Sequence, residues 1–416
     1  MIVSVIGLGY IGLPTAAIIA SHGIKVIGVD LNQDTINIIN QGKAHIIEPE
    51  LDSLVKKTIE NGNFIATDKP KKSDVFIITV PTPFLDDYSP DISYIKSAVK
   101  SIAQVLAKGN IIILESTSPV GTTEEISKLF ASERQDLIFP SFGSESINFD
   151  ISIAYCPERV LPGNIICELV ENDRIIGGMT MICSKRAIEF YKIFVKAKCL
   201  PTDCRTAELS KLVENSYRDV NIAFANELSL ICSNLNINVW DLIELANHHP
   251  RVNILNPGPG VGGHCIAVDP WFIINSLPDL TKLIKTAREV NDNKPQHVLS
   301  LIDNAIKSLS KENSAINISC LGISYKADID DLRGSPALEI VKSLSQYKIN
   351  RLNIVEPNIS ELPESIEKNN INLISLDAAI KDADIIVILV GHFEFKSLDK
   401  KFLENKVIID TLGILN

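Results

Sequence analysis

The sequence lacks several features that would direct it to a membrane or to nucleic acid. Its longest apolar runs, such as residues 385–390, are far shorter than the roughly 20 residues of a membrane-spanning helix. Acidic residues outnumber basic ones by 51 to 40, so there is no basic surplus to neutralise phosphates. The N terminus has no basic segment of the kind that opens a signal peptide. We therefore expect a soluble, cytoplasmic protein with no membrane or nucleic-acid partner.

Paired cysteines are also missing. None of the eight cysteines forms a Cys-x-x-Cys pair, and a chain of 416 residues needs no disulfides to hold a core. Most of these thiols are expected to be reduced, buried and apolar in behaviour. We predict no metal site. The apolar fraction of 45% and the charged fraction of 22% are ordinary for a globular enzyme, and the length predicts two or three domains.

The first third of the chain alternates strand-like and helix-like segments. Short β-branched runs are predicted to be strands at 2–6, 25–29, 74–80, 110–114 and 151–155, with amphipathic helices at 10–22, 33–41, 50–60 and 91–107. This βαβ alternation predicts a parallel sheet covered by helices on both faces.

The rest of the chain first becomes helical and then returns to alternation. Residues 206–234 contain no Pro or Gly and carry apolar residues at helical spacing, which predicts one long helix. Helices are predicted near 239–247 and 280–307, with a Gly- and Pro-rich loop at 256–263 between them. Strands predicted near 316–322, 351–355, 384–390 and 406–410 indicate a second, smaller α/β domain.

A glycine-rich turn follows the first predicted strand. Gly7, Gly9 and Gly12 have the spacing that permits a tight turn, close approach of a pyrophosphate and close helix–sheet packing. The helix N terminus then offers free N–H groups to phosphates. Asp30 ends the next strand, where a carboxylate can accept hydrogen bonds from ribose hydroxyls and repel a 2′-phosphate. The segment therefore predicts an NAD site rather than an NADP site, with a purely structural turn as the alternative.

Two further strand ends carry hydroxyl groups. Thr82 lies in the loop after the strand at 74–80, and Thr117 lies in the loop after the strand at 110–114. In open α/β sheets ligands bind beyond the carboxyl ends of the strands. Either threonine is therefore a candidate contact for cofactor or substrate, although simple turn chemistry explains each one taken alone.

Cys265 differs from the other cysteines in its surroundings. It follows the glycine-rich segment 258–263 and precedes Asp269, so little side-chain bulk shields the thiol. A thiolate can add to an aldehyde to give a thiohemiacetal, from which loss of a hydride gives a thioester that water cleaves to an acid. Cys265 is thus predicted to be the nucleophile of a dehydrogenase that oxidises an alcohol to a carboxylate. The alternative is a buried thiol at a loop–helix junction.

Over nearly its whole length the chain resembles the UDP-glucose/GDP-mannose dehydrogenase family. The resembling segments are 5–15, 80–84, 114–121, 154–163, 211–227, 249–271, 325–326 and 330–333. The resemblance implies a Rossmann-like NAD domain at 1–200, an all-helical dimerisation domain at 201–308 and a smaller Rossmann-like UDP-sugar domain at 309–416. It also implies a homodimer, or a higher homo-oligomer, that oxidises UDP-N-acetyl-D-mannosamine to its uronate with two NAD and water.

The resemblance assigns roles to individual residues. Cys265 becomes the nucleophile, Lys211 an acid/base or oxyanion-stabilising group, and Glu158, Asp269 and Thr117 the groups around the hydrolytic water. For NAD it implies Gly7, Gly9, Tyr10, Ile11, Gly12, Asp30, Thr82 and Thr117. For the substrate it implies Arg159, Val160, Lys211, Asn215, Arg218, His249, Arg251, Gly262, Tyr325, Lys326 and Arg333, with Arg251 reaching across the dimer. Lys211, Asn215 and Arg218 share one face of the predicted long helix at i, i+4 and i+7 spacing.

The sequence leaves other substrates and classes open. UDP-glucose, UDP-N-acetylgalactosamine and GDP-mannose would undergo the same chemistry. A two-electron dehydrogenase of a small hydroxy acid would need no thiol, and a non-catalytic NAD or nucleotide-sugar sensor would leave Lys211, Cys265 and Asp269 unexplained. Gly334 follows Arg333 where the family often has Glu, a departure that could alter the rim of the nucleotide pocket.

Overall fold

The structure, a computed structural model, describes residues 1–416 except 86, 145, 146, 162, 367–369 and 416. The chain folds into two compact units, 1–214 and 215–416. No helix within the described ranges is long and apolar enough to span a lipid bilayer.

The first unit is built on one sheet flanked by helices. Its strands are β1 (Ile2–Ile6), β2 (Lys25–Val29), β3 (Phe64–Thr67), β4 (Val75–Ile78), β5 (Ile111–Leu114), β6 (Ser152–Tyr155), β7 (Arg174–Gly178) and β8 (Cys199–Asp203). Its helices are α1 (Gly12–Ser21), α2 (Gln33–Asn40), α3 (Leu51–Glu60), α4 (Ser93–Ala103), α5 (Thr122–Glu133), α6 (Ile165–Glu171) and α7 (Met181–Tyr191). The long helix α8 (Cys204–Leu235) begins in this unit and ends in the second.

The strand order β3-β2-β1-β4-β5-β6-β7-β8 begins with the doubly wound arrangement of dinucleotide-binding folds. Most neighbouring strands are parallel, as predicted, but β6 and β7 pair antiparallel. The predicted parallel, Rossmann-like sheet is confirmed, and the antiparallel pair is added by β7, a strand that the sequence analysis did not predict. The segment between β6 and β7 contains the short helix α6 (Ile165–Glu171), and β7 in turn pairs parallel with β8.

Strand β4 shows why the strands of this sheet are continuous runs of apolar residues in the sequence. Val75 and Ile77 pack into a core with α1 on one face of the sheet, and Phe76 and Ile78 pack with α4 and α5 on the other. Burying both faces requires apolar residues at every position. The predicted helix at 91–107 ends earlier, at Ala103, and the Arg134 guanidinium donates to the carbonyl oxygens of Ala103 and Leu106 at 2.8 and 2.7 Å.

The second unit combines helices with a smaller parallel sheet. After α8 come α9 (Val239–Asn247), α10 (Asp269–Ser276) and α11 (Lys282–Ser308), then α12 (Pro336–Leu344), α13 (Leu376–Asp382) and α14 (Phe393–Lys396). Its strands are β9 (Asn317–Leu321), β10 (Arg351–Val355), β11 (Ile371–Leu373), β12 (Ile385–Ile388) and β13 (Val407–Asp410), in the order β11-β10-β9-β12-β13. The predicted fold class, with two Rossmann-like sheets around a helical centre and a long helix, is confirmed.

Candidate active site

The glycine turn of the first unit has the geometry that a dinucleotide requires. Gly7 has φ of +94°, and a Cβ on Gly12 would lie 1.8 Å from the Gly7 carbonyl oxygen, so neither position accommodates a side chain. A Cβ on Gly9 would meet nothing within 4 Å, which leaves the turn open to a ligand. No side chain caps the N terminus of α1 at Ile11. The first N–H groups of α1 are therefore suited to phosphate oxygens.

Asp30 lies beside this turn at the end of β2. Its Oδ2 accepts a hydrogen bond from the Leu8 N–H at 2.9 Å, and its Oδ1 accepts one from the Asn32 N–H at 2.9 Å. These bonds fix the half-buried carboxylate while leaving lone pairs for ribose hydroxyls. Tyr10 is exposed next to the turn. The residues predicted to hold NAD in this segment are thus brought together and fit a dinucleotide.

The loops that follow β4 and β5 lie against each other. The Thr82 hydroxyl donates to the Thr117 carbonyl oxygen at 2.6 Å, and the Ser116 hydroxyl donates to the Val80 carbonyl oxygen at 2.7 Å. The Thr79 hydroxyl donates to the Gly7 carbonyl oxygen at 2.8 Å, which ties the strand end to the glycine turn. Thr82 and Thr117 therefore lie at the same edge of the sheet as Asp30, as predicted for a ligand crevice.

A buried ionic cluster holds Glu158 in place. The Arg174 Nη1 atom lies 3.1 Å from Glu158 Oε2 and 3.7 Å from Glu115 Oε1, and the Tyr191 hydroxyl donates to Glu115 at 2.5 Å. Burial raises the pKa of Glu115 to about 7, although the Arg174 cation opposes the shift. The Arg159 N–H donates to Glu158 Oε1 at 2.7 Å. The sequence analysis assigned no role to Arg174, whose signal was a lone Arg at the start of an apolar strand.

Arg159, Val160 and Lys211 lie in the same unit. The Arg159 guanidinium pairs with Glu214 on α8 at 2.8 Å and donates to the Asp173 carbonyl oxygen. Val160 is partly buried against the sheet core, so its side chain has a packing role. Lys211 is half-buried on α8.

In the second unit Cys265 is exposed at the end of the glycine-rich loop. Its carbonyl oxygen accepts hydrogen bonds from the Val268 and Asp269 N–H groups at 3.1 and 2.8 Å, which places the thiol directly before α10. Asp269 is buried, and its Oδ2 accepts a hydrogen bond from the Asn215 amide of α8 at 2.5 Å. Cys265 and Asp269, predicted to be catalytic, and Asn215, predicted to bind the substrate, are therefore held by one short segment and one helix.

The glycines of this loop allow close approach to the C-terminal part of the second unit. A Cβ on Gly262 would lie 2.4 Å from the Gly334 carbonyl oxygen, and one on Gly263 would lie 2.8 Å from the Tyr325 ring. Arg333 follows the same turn and pairs with Asp331 at 2.8 Å. The structure thus brings Gly262, Tyr325 and the segment of Arg333 together.

Other predicted substrate residues are placed less closely. His249 and Arg251 lie exposed in the turn that follows α9, and their recorded hydrogen bond runs from the Arg251 N–H to His249 Nδ1 at 3.4 Å. Lys326 and Arg218 are exposed. Among the residues that the structure describes, no hydrogen bond or ion pair joins these four side chains to the Cys265 loop.

A relay of buried amides, which sequence reasoning missed, supports the start of the glycine-rich loop. The Gly258 N–H donates to Asn226 Oδ1 at 2.9 Å, the Asn226 amide donates to Asn291 Oδ1 at 2.8 Å, and the Asn291 amide donates to Asp219 Oδ1 at 2.8 Å. The Arg288 guanidinium pairs with Asp219 at 2.6 Å. Polar residues at the buried helical positions 219 and 226 were the signal in the sequence.

Comparison with known proteins identifies the family. Residues 1–195, 205–293 and 319–416 match the NAD binding domain, the central domain and the UDP binding domain of the UDP-glucose/GDP-mannose dehydrogenase family. The chain belongs to this family. The glycine turn and Asp30 lie in the segment that matches the NAD binding domain, which confirms the predicted cofactor and the predicted class of NAD-dependent dehydrogenase.

Relatives within the family carry different names. The chain is 59% identical to a UDP-N-acetyl-D-mannosamine dehydrogenase of Campylobacter jejuni, over 94% of this chain and 96% of the relative. It is 54% identical to an NDP-N-acetyl-D-galactosaminuronic acid dehydrogenase of Ralstonia nicotianae, over 99% of this chain and 96% of the relative. A solved UDP-N-acetyl-mannosamine dehydrogenase of Staphylococcus aureus is 44% identical, with a TM-score of 0.85 over 100% of this chain and 95% of that one.

Proposed function

We propose that this member of the family catalyses the four-electron oxidation of UDP-N-acetyl-D-mannosamine to UDP-N-acetyl-D-mannosaminuronate, with two NAD and one water consumed. The observation that carries the proposal is the exposed Cys265, which lies in a glycine-rich loop beside a buried Asp269 that Asn215 holds. A two-electron alcohol dehydrogenase has no use for such a thiol.

Residues of the first unit hold the cofactor and orient it. The N–H groups after the Gly7–Gly12 turn receive the pyrophosphate, and Asp30 receives the ribose hydroxyls. Tyr10, Ile11, Thr82 and Thr117 complete the site. When bound, NAD accepts a hydride from the sugar C6 carbon in each of the two oxidations.

Cys265 and Lys211 act on the sugar. In the first oxidation a base takes the hydroxyl proton as the hydride leaves, giving an aldehyde. The Cys265 thiolate then adds to the aldehyde carbon, forming a C–S bond, and the Lys211 ammonium stabilises the negative oxygen. Loss of the second hydride from this thiohemiacetal leaves a thioester.

Hydrolysis completes the reaction. Water attacks the thioester carbon, the C–S bond breaks, and the thiolate is regenerated with the carboxylic acid as product. Asp269 or Glu158, with Thr117, orients this water and takes its proton. Both carboxylates are held by hydrogen bonds or ion pairs, to Asn215 and Arg174 respectively, as positioning of a water requires.

Residues from several segments of the chain bind the substrate. Arginine suits a diphosphate because its planar fork can donate to two oxygens at once. We assign Arg159, Val160, Asn215, Arg218, His249, Gly262, Tyr325, Lys326 and Arg333 to the substrate, and Arg251 to the substrate of a partner subunit.

A homodimer in the cytoplasm is part of the proposal. Exposed apolar side chains of α8, including Leu209, Val213, Phe224, Ile231 and Leu235, supply a face that association would bury. Light scattering coupled to gel filtration tests the dimer, and Phe224→Glu should shift the mass towards that of a monomer.

UDP-N-acetylgalactosamine is the second candidate substrate, since the relative that is 54% identical is named for the galactosaminuronic acid product. The purified protein should be incubated with excess NAD and limiting amounts of each sugar nucleotide, including UDP-glucose. We expect two NADH per UDP-N-acetylmannosamine consumed. One NADH per sugar, or turnover restricted to another sugar nucleotide, would overturn the assignment.

The covalent step has a matched control. Cys265 and Cys167 are both exposed. Cys265→Ser should abolish acid formation, whereas Cys167→Ser should leave the rate unchanged. Acid formation by Cys265→Ser at a near-normal rate would rule out the thioester route.

A further inference from the structure

A cavity of about 330 Å³ lies in the second unit among residues of α8, α9, α11 and β13. One part of its wall is apolar and includes Ile237, Trp240 and Val298. The other part is polar and is formed by Ser229, Ser233, Asn238, Lys294, His297, Asp410 and Thr411. None of these residues has a role in the reaction proposed above.

Lys294 is the unusual member of this wall. It lies on α11 with 6% of its surface exposed. Within the described part of the chain its ammonium group forms neither a hydrogen bond nor an ion pair, and burial alone lowers its pKa to about 8. Because a buried cation without an acceptor is costly, proteins normally pair it or replace it.

The neighbouring acceptors are already engaged. Asp410 accepts hydrogen bonds from the N–H groups of Leu412, Gly413 and Leu415 at 2.8–3.0 Å, so its carboxylate is turned to the C-terminal backbone. The Asn238 side-chain oxygen accepts the Trp240 N–H at 2.9 Å, which leaves its NH2 group as a donor.

The Ser229 and Thr411 hydroxyls already donate to the Asn226 and Ile388 carbonyl oxygens, so the further donors of the wall are Asn238 and His297. The pKa of His297 is lowered by burial and by the Lys294 cation, so its ring is neutral at pH 7 and offers one N–H donor. The cavity therefore combines a buried cation and further donors with an apolar wall. A small organic molecule that carries an anionic group satisfies both halves.

We propose that this cavity is a binding site for a small organic phosphate, with Lys294 as its charged contact, His297 and Asn238 as further donors, and Trp240 against its apolar part. The volume suits a ligand of about the size of a sugar phosphate.

Calorimetric titration with ribose 5-phosphate and with sulfate tests the site in the full-length protein. Lys294→Gln removes the buried cation, and Lys285→Gln removes an exposed cation from the same helix as the control. We expect binding by the wild type and by Lys285→Gln, and at least about tenfold weaker binding by Lys294→Gln. Equal affinities for all three proteins, or no binding by the wild type, would overturn the proposal.

Sulfate adds a second readout because it does not titrate near neutral pH. An anion beside Lys294 should favour the charged amine, so binding at about pH 8 should take up protons. Of the titratable groups that line the cavity, His297 can contribute to this uptake and Asp410 is held by backbone N–H groups, so His297→Gln separates the contributions. The proton uptake should persist in His297→Gln and vanish in Lys294→Gln. Its persistence in Lys294→Gln would contradict the proposal.

The ligand-free protein supplies an independent test. Lys294→Met removes a buried charge that lacks a partner and should raise the Tm. A lower Tm would mean that the ammonium group has a partner in the native protein. A shift in oligomeric mass with unchanged sulfate affinity would mean that a second copy of the chain covers Lys294. Either result would overturn the proposal.

Discussion

The two sheets of the molecule share one turn construction after their first strand and use it for different purposes. In the first sheet β1 is followed by Gly7, with φ of +94°, whose N–H donates to the Val29 carbonyl oxygen at 2.8 Å. In the second sheet β9 is followed by Gly322, with φ of +88°, whose N–H donates to the Val355 carbonyl oxygen at 2.8 Å. Both turns therefore have the same backbone construction.

In each sheet an acidic residue follows the strand next to this turn: Asp30 follows β2, and Glu356 follows β10. Asp30 accepts the Leu8 N–H at 2.9 Å, and Glu356 accepts the Ile323 and Ser324 N–H groups at 2.8 and 3.0 Å. Asp30 is half-buried, whereas Glu356 is buried beneath His392, whose Nε2 lies 3.0 Å from Glu356 Oε1.

The difference in burial between Asp30 and Glu356 indicates that the same turn construction has two different roles. His392 also accepts the Asp328 N–H at Nδ1, at 2.9 Å, so the Glu356–His392 pair holds the loop that carries Tyr325 and Lys326. In the first sheet the acid remains available to a ligand; in the second it supports the loop. We therefore expect a nucleotide bound at the C-terminal sheet to contact loop side chains and not Glu356.

The largest expected effect concerns the glycine turn of the first sheet. In Gly12→Ala the new Cβ would lie 1.8 Å from a backbone oxygen, so we expect a loss of at least about 3 kcal/mol in the free energy of unfolding. Gly9→Ala, whose Cβ meets nothing, should unfold like the wild type but bind NAD more weakly. Denaturant unfolding and NAD titration measure both. Equal stability of the two variants would contradict the structure of the turn.

A pair of isosteric changes tests the divergence of the two acids. Glu356→Gln breaks a buried carboxylate–histidine pair and should cost about 3 kcal/mol of stability while leaving the affinity for NAD unchanged. Asp30→Asn replaces one of two accepting oxygens with an NH2 group, so it should cost about 1 kcal/mol of stability, weaken NAD binding about tenfold and reduce the preference over NADP. Unfolding curves and cofactor titrations distinguish the two patterns. If both variants lost NAD affinity equally, the proposed division between Asp30 as a cofactor contact and Glu356 as a support of the loop would be wrong.

Two buried acids, Glu356 of the second unit and Glu115 of the first, should make the stability of the protein depend on pH in opposite directions. Burial works to raise the pKa of Glu356, but the hydrogen bonds from His392 and Ile323 outweigh it and lower the pKa. Glu356 therefore stabilises the fold above its unfolded pKa, and this is lost as the pH falls through the lower folded value. Glu115 behaves oppositely. With its pKa raised to about 7, it favours folding at acidic pH and loses that contribution as the pH rises to about 7.

Glu115→Gln isolates this second effect. The variant keeps an acceptor for the Tyr191 hydroxyl but no longer titrates. Its stability relative to the wild type should therefore increase between pH 5 and pH 8, by about 2 kcal/mol. Urea unfolding at several pH values measures the difference, with the exposed Glu133→Gln as the control. A difference that did not change with pH would mean that Glu115 is ionised throughout this range.

Local patterns were sufficient to predict most of the fold. The alternation of apolar runs with amphipathic segments located β1, β2, α8 and α9 within about two residues, since these elements are defined by periodicity. The antiparallel β7 was not predicted because pairing direction depends on how α6 delivers the chain. The two related glycine turns were not matched, since Gly322 and Glu356 share geometry with Gly7 and Asp30 but little surrounding sequence.

The sequence predicted those site residues whose type and spacing are uncommon outside functional sites. Gly7, Asp30 and Cys265 have the spacing and the neighbours of a site. Arg174, Asn226 and His392 act through contacts with residues distant in the sequence, so only the folded chain shows their partners. The usable signals were the polar Asn226 at a buried helical position and the lone Arg174 at the start of an apolar strand, and neither signal identifies the partner or the role.

The smallest effect is expected at the glycine-rich loop 256–263, the loop that precedes Cys265. Here the side-chain amide of Asn226, and not a carboxylate, accepts a backbone N–H of the loop. Asn226 can accept the Gly258 N–H because Asn291 and Asp219 fix which end of each amide is the acceptor. Asn226→Ala should therefore cost about 1 kcal/mol in ordering of the loop, lower kcat about fivefold and leave the affinity for NAD unchanged. Asn234→Ala, on an exposed position of the same helix, is the control.

The number of NADH formed per sugar tests whether the loop positions Cys265 to capture the aldehyde, because general destabilisation would lower the rate without changing this number. If Cys265 is displaced, some of the half-oxidised sugar should escape before the second oxidation. The yield of NADH per sugar should then fall below two in Asn226→Ala, and a hydrazine trap should recover the missing aldehyde. A variant that loses activity but still gives two NADH per sugar would show that the relay stabilises the fold without positioning the thiol.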